Sequence, residues 1–425
     1  MIGCAVFFCA LFAAMAAYLC IYIPSHSEEL FNNSYNSRQS VLAQQNTRGT
    51  IYSADGEVLA ETVNVDGEEV RQYPYENMFS HIVGYSTRGK TGLESLANYD
   101  LINTSASASE QAQNAAAGVK NPGNNLVTTL DVTLQEAAYN AMGLYEGAIV
   151  VMEPSTGKIL AMVSKPDFDP NEIAQEWESL NQEGSSVLLN RASQGLYPPG
   201  STFKMITALE YIREHPDDWE NYTWQCSGSY THGDTTIRCY HGSSHGSLDF
   251  MHSFAESCNS SFANIGMSLE RSSFLSTLDG LLFNQELPVD ISYSRSSVAL
   301  TEDSGDADMI QTVIGQGKTQ MTPLHLCMIT SAIANDGVLM KPYEMDRIEK
   351  PDGTVLKQYE PEEYGRLMTS EEAEILTKLM TDVVEEGTAT KLSGLSYTAA
   401  GKTGSAEYND STSDSHAWFT GFAPA

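Results

Sequence analysis

The sequence predicts an α+β protein behind an N-terminal membrane anchor, and three observations carry that prediction. Residues 2–23, IGCAVFFCALFAAMAAYLCIYI, contain no charge. From residue 126 onward, strand-like and helix-like segments follow in mixed order, without the alternation of a βαβ repeat. Between the two, residues 103–125 (NTSASASEQAQNAAAGVKNPGNN) carry almost no large apolar side chain, a composition that cannot bury a core and reads as a long loop or linker. The predicted organisation is an anchor over 1–24, a small N-terminal module with its linker over 25–125, and a main domain over 126–425. A length of 425 residues suits two or three domains. The formal net charge of −32 makes nucleic acid and anionic lipid headgroups poor partners.

The apolar run is long enough to cross a bilayer, which needs roughly 20 residues. A cleaved signal peptide is the alternative. The run is long for one, and no convincing A-x-A site precedes Glu28 and Glu29. In TRGTIYSADGEVLA (47–60), two strand-like pieces flank Asp55-Gly56, a hairpin signal. Residues 73–102 form another compact stretch. LVTTL (126–130) reads as a strand. The helix after it has Thr133 and Glu136 at capping-box spacing and Gly143 beyond its end. Residues 147–164 read as a hairpin. Helices are predicted over 323–335, with Thr322 as cap and Pro323 in the first turn, and over 370–386, where Ile375, Leu376, Leu379, Met380, Val383 and Val384 repeat at helical spacing. Two strands joined by the polar NDSTSDS close the chain.

The chemistry gathers around YPPGSTFKMITALEYI (197–212). Two prolines and Gly200 make a hard turn. The apolar repeat that follows puts Ser201 at a helix start and Lys204 one turn on, on the same face. A serine hydroxyl is a poor nucleophile until a base takes its proton. A desolvated amine near the positive end of a helix has a lowered pKa and can act as that base. Alone, S-x-x-K is weak, arising about once by chance in a chain of this length. It recurs at Ser155 and Lys158, in the turn of the 147–164 hairpin, and that copy is read as structural.

Ser257-Cys258-Asn259 adds a second hydroxyl and a carboxamide. Lys402-Thr403-Gly404 adds a cation and a hydroxyl on a strand-like run, where Gly404 lets a substrate approach the backbone. A second K-T-G at Lys90, Thr91 and Gly92 lies beside a glycine-rich turn and is read as structural.

The order and wide spacing of these motifs resemble the penicillin-binding transpeptidase domain. RASQGLYPPGSTFK, ESCNSSFANIG, IGQGKTQMTPL, GTATKL and AAGKTGSAEY resemble class B penicillin-binding proteins closely, and RGTIYSADGEVLA and GLESL resemble that class's pedestal module. The resemblance implies a five-stranded antiparallel sheet flanked by helices, with the site at its edge. It also implies acyl transfer at the D-Ala-D-Ala stem peptides of peptidoglycan and acylation by β-lactams. Ser201 would be the nucleophile, Lys204 its base and Ser257 a proton relay. Asn259 would hold the peptide amide, Lys402 and Thr403 the terminal carboxylate, and the N–H groups of Ser201 and Ser405 the oxyanion. The implied setting is a single-pass anchor with the catalytic domain outside the membrane, beside a glycan-polymerising membrane partner. Two departures stand out. Ser405 replaces a threonine common in the class. The chain also stops at HAWFTGFAPA, where the family continues with another strand and a helix, so a C-terminally truncated form is expected.

A catalytically silent scaffold or β-lactam sensor of the same fold, or a D,D-carboxypeptidase or β-lactamase, are the alternatives. The intact motifs disfavour the first and the pedestal stretches the second. Cys226 and Cys239 bracket a polar loop. With His232, His241 and His245 nearby, zinc is one reading, but the irregular spacing favours a disulfide or free thiols, and no cofactor or metal is expected. Cys258 and Cys327 are expected to be buried and inert.

Overall fold

A computed structural model describes residues 2–25, 38–407 and 415–425. Glu28, Glu29 and residues 409–414 of the expected polar turn lie outside them. The apolar run forms one helix, Ile2–Ser25, whose segment Ile2–Tyr22 has the length and composition to cross a membrane.

The chain divides into two compact units. The first comprises Met1–Val132, Phe168–Glu183 and Met345–Tyr359. It is built on a six-stranded sheet in the order Val355–Gln358, Met345–Glu349, Asn125–Thr128, Ile51–Tyr52, Val58–Val65, Glu68–Gln72. Its pairings are antiparallel except that between Ile51–Tyr52 and Asn125–Thr128. The predicted hairpin turns at Gly56, whose φ of +86° suits glycine. In the same unit Glu94 is fully buried and receives Arg48 Nε at 2.6 Å and Arg71 Nε at 2.7 Å. Burial opposes its charge, yet the two guanidinium groups hold the carboxyl below its usual range. The structural reading of the 90–92 triplet fits its surroundings: a Cβ on Gly92, at φ +54°, would sit 2.4 Å from Ile82 O.

Three expectations need correction in this part of the chain. Residues 103–125 are not a loop throughout. Ala108–Ala117 is a helix, closed at its start by a Ser107/Glu110 capping box and at its end by Gly118 in the left-handed region. Asn121–Pro122 then pairs in parallel with Asn46–Thr47. The alanines that leave no core to bury are also strong helix formers. The boundary near residue 125 is not a clean cut either, since segments 168–183 and 345–359 return to the first unit. Thr133 is not a cap but the second residue of helix Val132–Met142.

The second unit holds Thr133–Asp167, Gly184–Glu344 and Glu360–Ala425. Its centre is helix Lys204–Glu214, buried from Lys204 to Ile212. Phe203 meets Phe283 edge-on at 5.6 Å, and Tyr211 stacks on Phe250 at 5.0 Å. Full burial of such side chains is worth about 1.5–3 kcal/mol each. Helix Pro323–Ala334 starts as predicted, with the Thr322 side chain accepting the His325 N–H. Helix Ser370–Glu385 buries the predicted stripe, apart from Ile375, and Thr369 and Glu372 form its capping box.

The expected five-stranded antiparallel sheet is not continuous among the described residues. Gly147–Met152 pairs with Ile159–Lys165, and Ala400–Glu407 with Ser415–Phe422, as two separate antiparallel ladders. Ile149 and Val151 of the first ladder, Phe419 of the second and Leu326 of helix Pro323–Ala334 line one apolar groove.

Candidate active site

The site is assembled from one turn, one helix start and one strand. Gly200 takes φ +55°, directly after Pro198 and Pro199, and opens a 3₁₀ turn, Gly200–Phe203, that runs into the α-helix. The Lys204 N–H donates to Ser201 O, so the two side chains leave the same turn. Ser201 is half-buried, and Lys204 is completely buried. The Lys204 amine lies 2.6 Å from Ser257 O, 2.7 Å from Asn259 Oδ1 and 3.3 Å from Ser257 Oγ. Burial pushes that amine down to about 7, with only a partial counter-effect from the nearby Cys258 and Cys239.

Ser257 itself sits at φ +54°, an unusual value for a serine, between helix Phe250–Ala255 and helix Asn259–Ser268. Cys258 caps the second of these by accepting the Ser261 N–H. Asn259 is the first residue of that helix, and its Nδ2 donates to Arg238 O at 3.0 Å.

Strand Ala400–Glu407 brings the third motif alongside. Lys402 is fully buried and donates to Ser257 Oγ at 2.9 Å and to Thr403 O at 3.0 Å. Burial, then the neighbouring Lys204, holds its amine well below the usual lysine range. The two ammonium groups lie over aromatic faces, Lys204 over Phe262 at 5.4 Å and Lys402 over Phe254 at 5.5 Å.

The strand passes the nucleophile turn closely. A Cβ on Gly200 would meet Ser405 O at 2.4 Å, and one on Gly404 would meet the Thr202 backbone N at 3.0 Å. Ser405 is exposed at the mouth. An open groove of ≈ 1270 Å³, lined by Leu196, Arg238, Asn259, Gln316 and His416 among others, leads to this place. Of the eight residues singled out in the sequence, Lys204, Ser257, Asn259 and Lys402 are joined by hydrogen bonds, while Ser201 lies on the adjoining turn and Thr403, Gly404 and Ser405 on the strand that passes it. A hydroxyl one turn from a depressed amine, with a second amine bonded to a further hydroxyl, is an arrangement suited to acyl transfer.

Residues 147–425 match the penicillin binding protein transpeptidase domain. The chain belongs to this family. Residues 48–126 match the penicillin binding protein A dimerisation domain. Peptidoglycan D,D-transpeptidase PbpA of Mycolicibacterium smegmatis is 31% identical over 415 residues, covering 92% of this chain and 84% of that protein. The solved D,D-transpeptidase domain of a peptidoglycan glycosyltransferase from Eggerthella lenta superposes with a TM-score of 0.81 at 30% identity, covering 89% of this chain and 91% of that one. The imipenem acyl-enzyme complex of penicillin-binding protein A from M. tuberculosis gives 0.80 at 28% identity, with 90% of each chain covered.

In this penicillin-binding transpeptidase fold, three further residues support the site that motif reasoning left without a role. Thr388 Oγ1 lies 2.6 Å from Thr403 Oγ1. Gln316 Nε2 reaches Ser405 O at 3.4 Å. Trp418 Nε1 donates to Pro198 O at 2.9 Å and ties the last strand to the nucleophile turn. Thr388 and Gln316 lie in GTATKL and IGQGKTQMTPL, so the family resemblance was the available signal.

The cysteines depart from expectation in part. No disulfide joins Cys226 and Cys239, whose sulfurs lie 3.7 Å apart. Cys258 is buried but not isolated, since its sulfur lies 3.7 Å from that of Cys239. Cys327 is only half-buried, with burial pushing its thiol up to about 11.

Proposed function

We propose that the protein is a membrane-anchored peptidoglycan D,D-transpeptidase that cross-links stem peptides through an acyl-enzyme on Ser201. The observation that carries the proposal is the convergence of Lys204 and Lys402 on Ser257 Oγ, one turn from Ser201. A neutral Lys204 amine has two hydrogens, which Ser257 O and Asn259 Oδ1 accept. Its lone pair is then free for the Ser201 proton.

Ser201 Oγ attacks the carbonyl of the penultimate D-alanine, and the proton passes to Lys204. The tetrahedral oxyanion is held by the N–H groups of Ser201 and Ser405, such donors being worth about 3–4 kcal/mol each. Collapse breaks the peptide bond, and D-alanine leaves with a proton relayed through Ser257. An amine of a neighbouring stem peptide then attacks the Ser201 ester and closes the cross-link. Lys402 and Thr403 bind the terminal carboxylate, whose negative charge would favour the protonated form of the buried Lys402 amine. Helix Ile2–Ser25 supports a single-pass anchor with the catalytic domain on the outer face, where a glycan-polymerising membrane partner would supply the strands.

The test is labelling of the detergent-solubilised chain and its Ser201→Ala variant with a fluorescent penicillin, read by gel and intact mass. One stable adduct on the parent alone is expected. An adduct on both, or none on parent protein shown to be folded by circular dichroism, would overturn the assignment.

A further inference from the structure

Beside the active site, four side chains that the proposed reaction does not use point at one another. Cys226 ends strand Thr223–Cys226, and Cys239 follows strand Thr235–Arg238. His245 precedes strand Gly246–Asp249, and Cys258 caps helix Asn259–Ser268. Their ligand atoms, three sulfurs and one imidazole nitrogen, all lie within 4.8 Å of one another. The three cysteines are buried at 1%, 3% and 0% exposure, and His245 is half-buried.

The spacings within this cluster identify its chemistry. A disulfide needs sulfurs about 2.05 Å apart. Here the Cys226–Cys239 and Cys239–Cys258 separations are both 3.7 Å. Around a tetrahedral zinc ion with Zn–S bonds of about 2.3 Å, two sulfurs stand about 3.75 Å apart. A sulfur and a nitrogen stand about 3.5 Å apart on the same geometry, and Cys226 Sγ lies 3.3 Å from His245 Nδ1. Either disulfide would also leave a third buried thiol over, whereas a four-coordinate ion uses every donor.

The outer contacts fit as well. Gly228 N–H and Ser260 Oγ–H donate to Cys226 Sγ at 3.4 and 3.2 Å, and Ser261 N–H donates to Cys258 Sγ at 3.5 Å. Donors of this kind stabilise and orient metal-bound thiolates. We propose that Cys226, Cys239, His245 and Cys258 form a closed Cys₃His zinc site.

With no open coordination position the ion is structural. Its consequence lies in the position of Cys258, between Ser257 and Asn259. A Zn–S bond at Cys258 fixes the main chain that presents the Ser257 hydroxyl and carbonyl and the Asn259 carboxamide to Lys204. The zinc thereby acts on the reaction by positioning, through residues that touch Lys204 and Lys402. The sequence hid the site because the run C-x12-C-x5-H-x12-C has none of the short C-x-x-C pairs of familiar zinc modules, and two small hairpins are needed to close it.

The test uses the full chain, purified in detergent without chelator or added metal. Elemental analysis is expected to find about one zinc per chain. Replacement by cobalt(II) is expected to give the thiolate-to-cobalt charge-transfer and ligand-field bands of a tetrahedral sulfur-rich site. Cys226→Ser and Cys239→Ser are expected to lose the metal, and Cys327→Ser to keep it. A metal-free chain, a mass lower by two hydrogens that marks a disulfide, cobalt bands without thiolate character, or zinc retained in both Ser variants would each overturn the proposal. The metal content and cobalt spectrum of the parent decide the matter even where a variant fails to fold. They are read without reference to penicillin labelling, so the site and the proposed transpeptidase activity fail independently.

Discussion

Lys204 and Lys402 meet at one hydroxyl: Ser257 Oγ lies 3.3 Å from the first amine and 2.9 Å from the second. Both lysines are fully buried, and among the described residues no carboxylate accepts from either amine. Two full positive charges so close and so dry are mutually costly, and the more depressed amine gives up its proton first. Proton sharing through Ser257 is therefore a consequence of the packing.

The first prediction concerns pH. Only the neutral Lys204 amine can take the Ser201 proton, and its midpoint lies at about 7. The second-order rate of acylation by a fluorescent penicillin should rise roughly tenfold per pH unit up to that midpoint and level off above it. Rates measured from pH 5.5 to 8.5 check this. A flat profile would remove Lys204 as the base.

Lys402→Ala should separate activity from stability. It strips Ser257 Oγ of its closest donor, and a loss of about 10²–10³ in acylation rate is expected. It also deletes a buried amine whose charging the packing already opposes, so the melting temperature should fall little. Parallel labelling kinetics and thermal unfolding would show it. A large fall in melting temperature would mean that the lysine is chiefly structural.

Gly200→Ala should damage both. The new methyl group would fall 2.4 Å from Ser405 O, at a φ of +55° that L side chains rarely adopt. Strain of about 1–3 kcal/mol is expected, with strand 400–407 displaced from the nucleophile. A melting temperature lower by several degrees together with slowed acylation is the expected pair of results.

Glu94→Gln tests the first unit. It leaves Arg48 and Arg71 buried against a neutral amide, and removal of one partner of a buried charge cluster costs about 3–5 kcal/mol. Hydrogen exchange should quicken across 48–72 while residues 200–214 keep their protection. Unchanged exchange in 48–72 would show that the triad contributes nothing net.

Much of the site was legible because it rests on local sequence. Pro198, Pro199 and Gly200 announce the turn, and the buried face of 203–212 dictates which way Ser201 and Lys204 leave it. The Ser370–Glu385 stripe was legible for the same reason. The helix at Ala108–Ala117 escapes a reading by burial because its apolar content is alanine, which signals propensity, and its sequence mark is the Ser107/Glu110 box. The separate ladders and the return of 345–359 to the first unit depend on pairings far apart in sequence, which periodicity does not encode. Zinc at Cys226, Cys239 and His245 is disfavoured by sequence spacing for a related reason, since the donors, with Cys258 as the fourth, come from four different elements.

The route of the first unit's sheet bears on how the chain is made. Strand Asn125–Thr128 takes Met345–Glu349 as its neighbour, with residues 129–344 synthesised in between. Closing so long a loop adds little to the equilibrium cost, because that cost grows only with the logarithm of length. It adds delay, since non-local strand pairing is slow. While the nascent chain lengthens, Leu126 and Val127 sit on an open strand edge, and a newborn molecule is sticky there until residue 349 has emerged. A ribosome stalled before that point would release a species with an unpaired edge, the kind of intermediate that chaperones exist to hold.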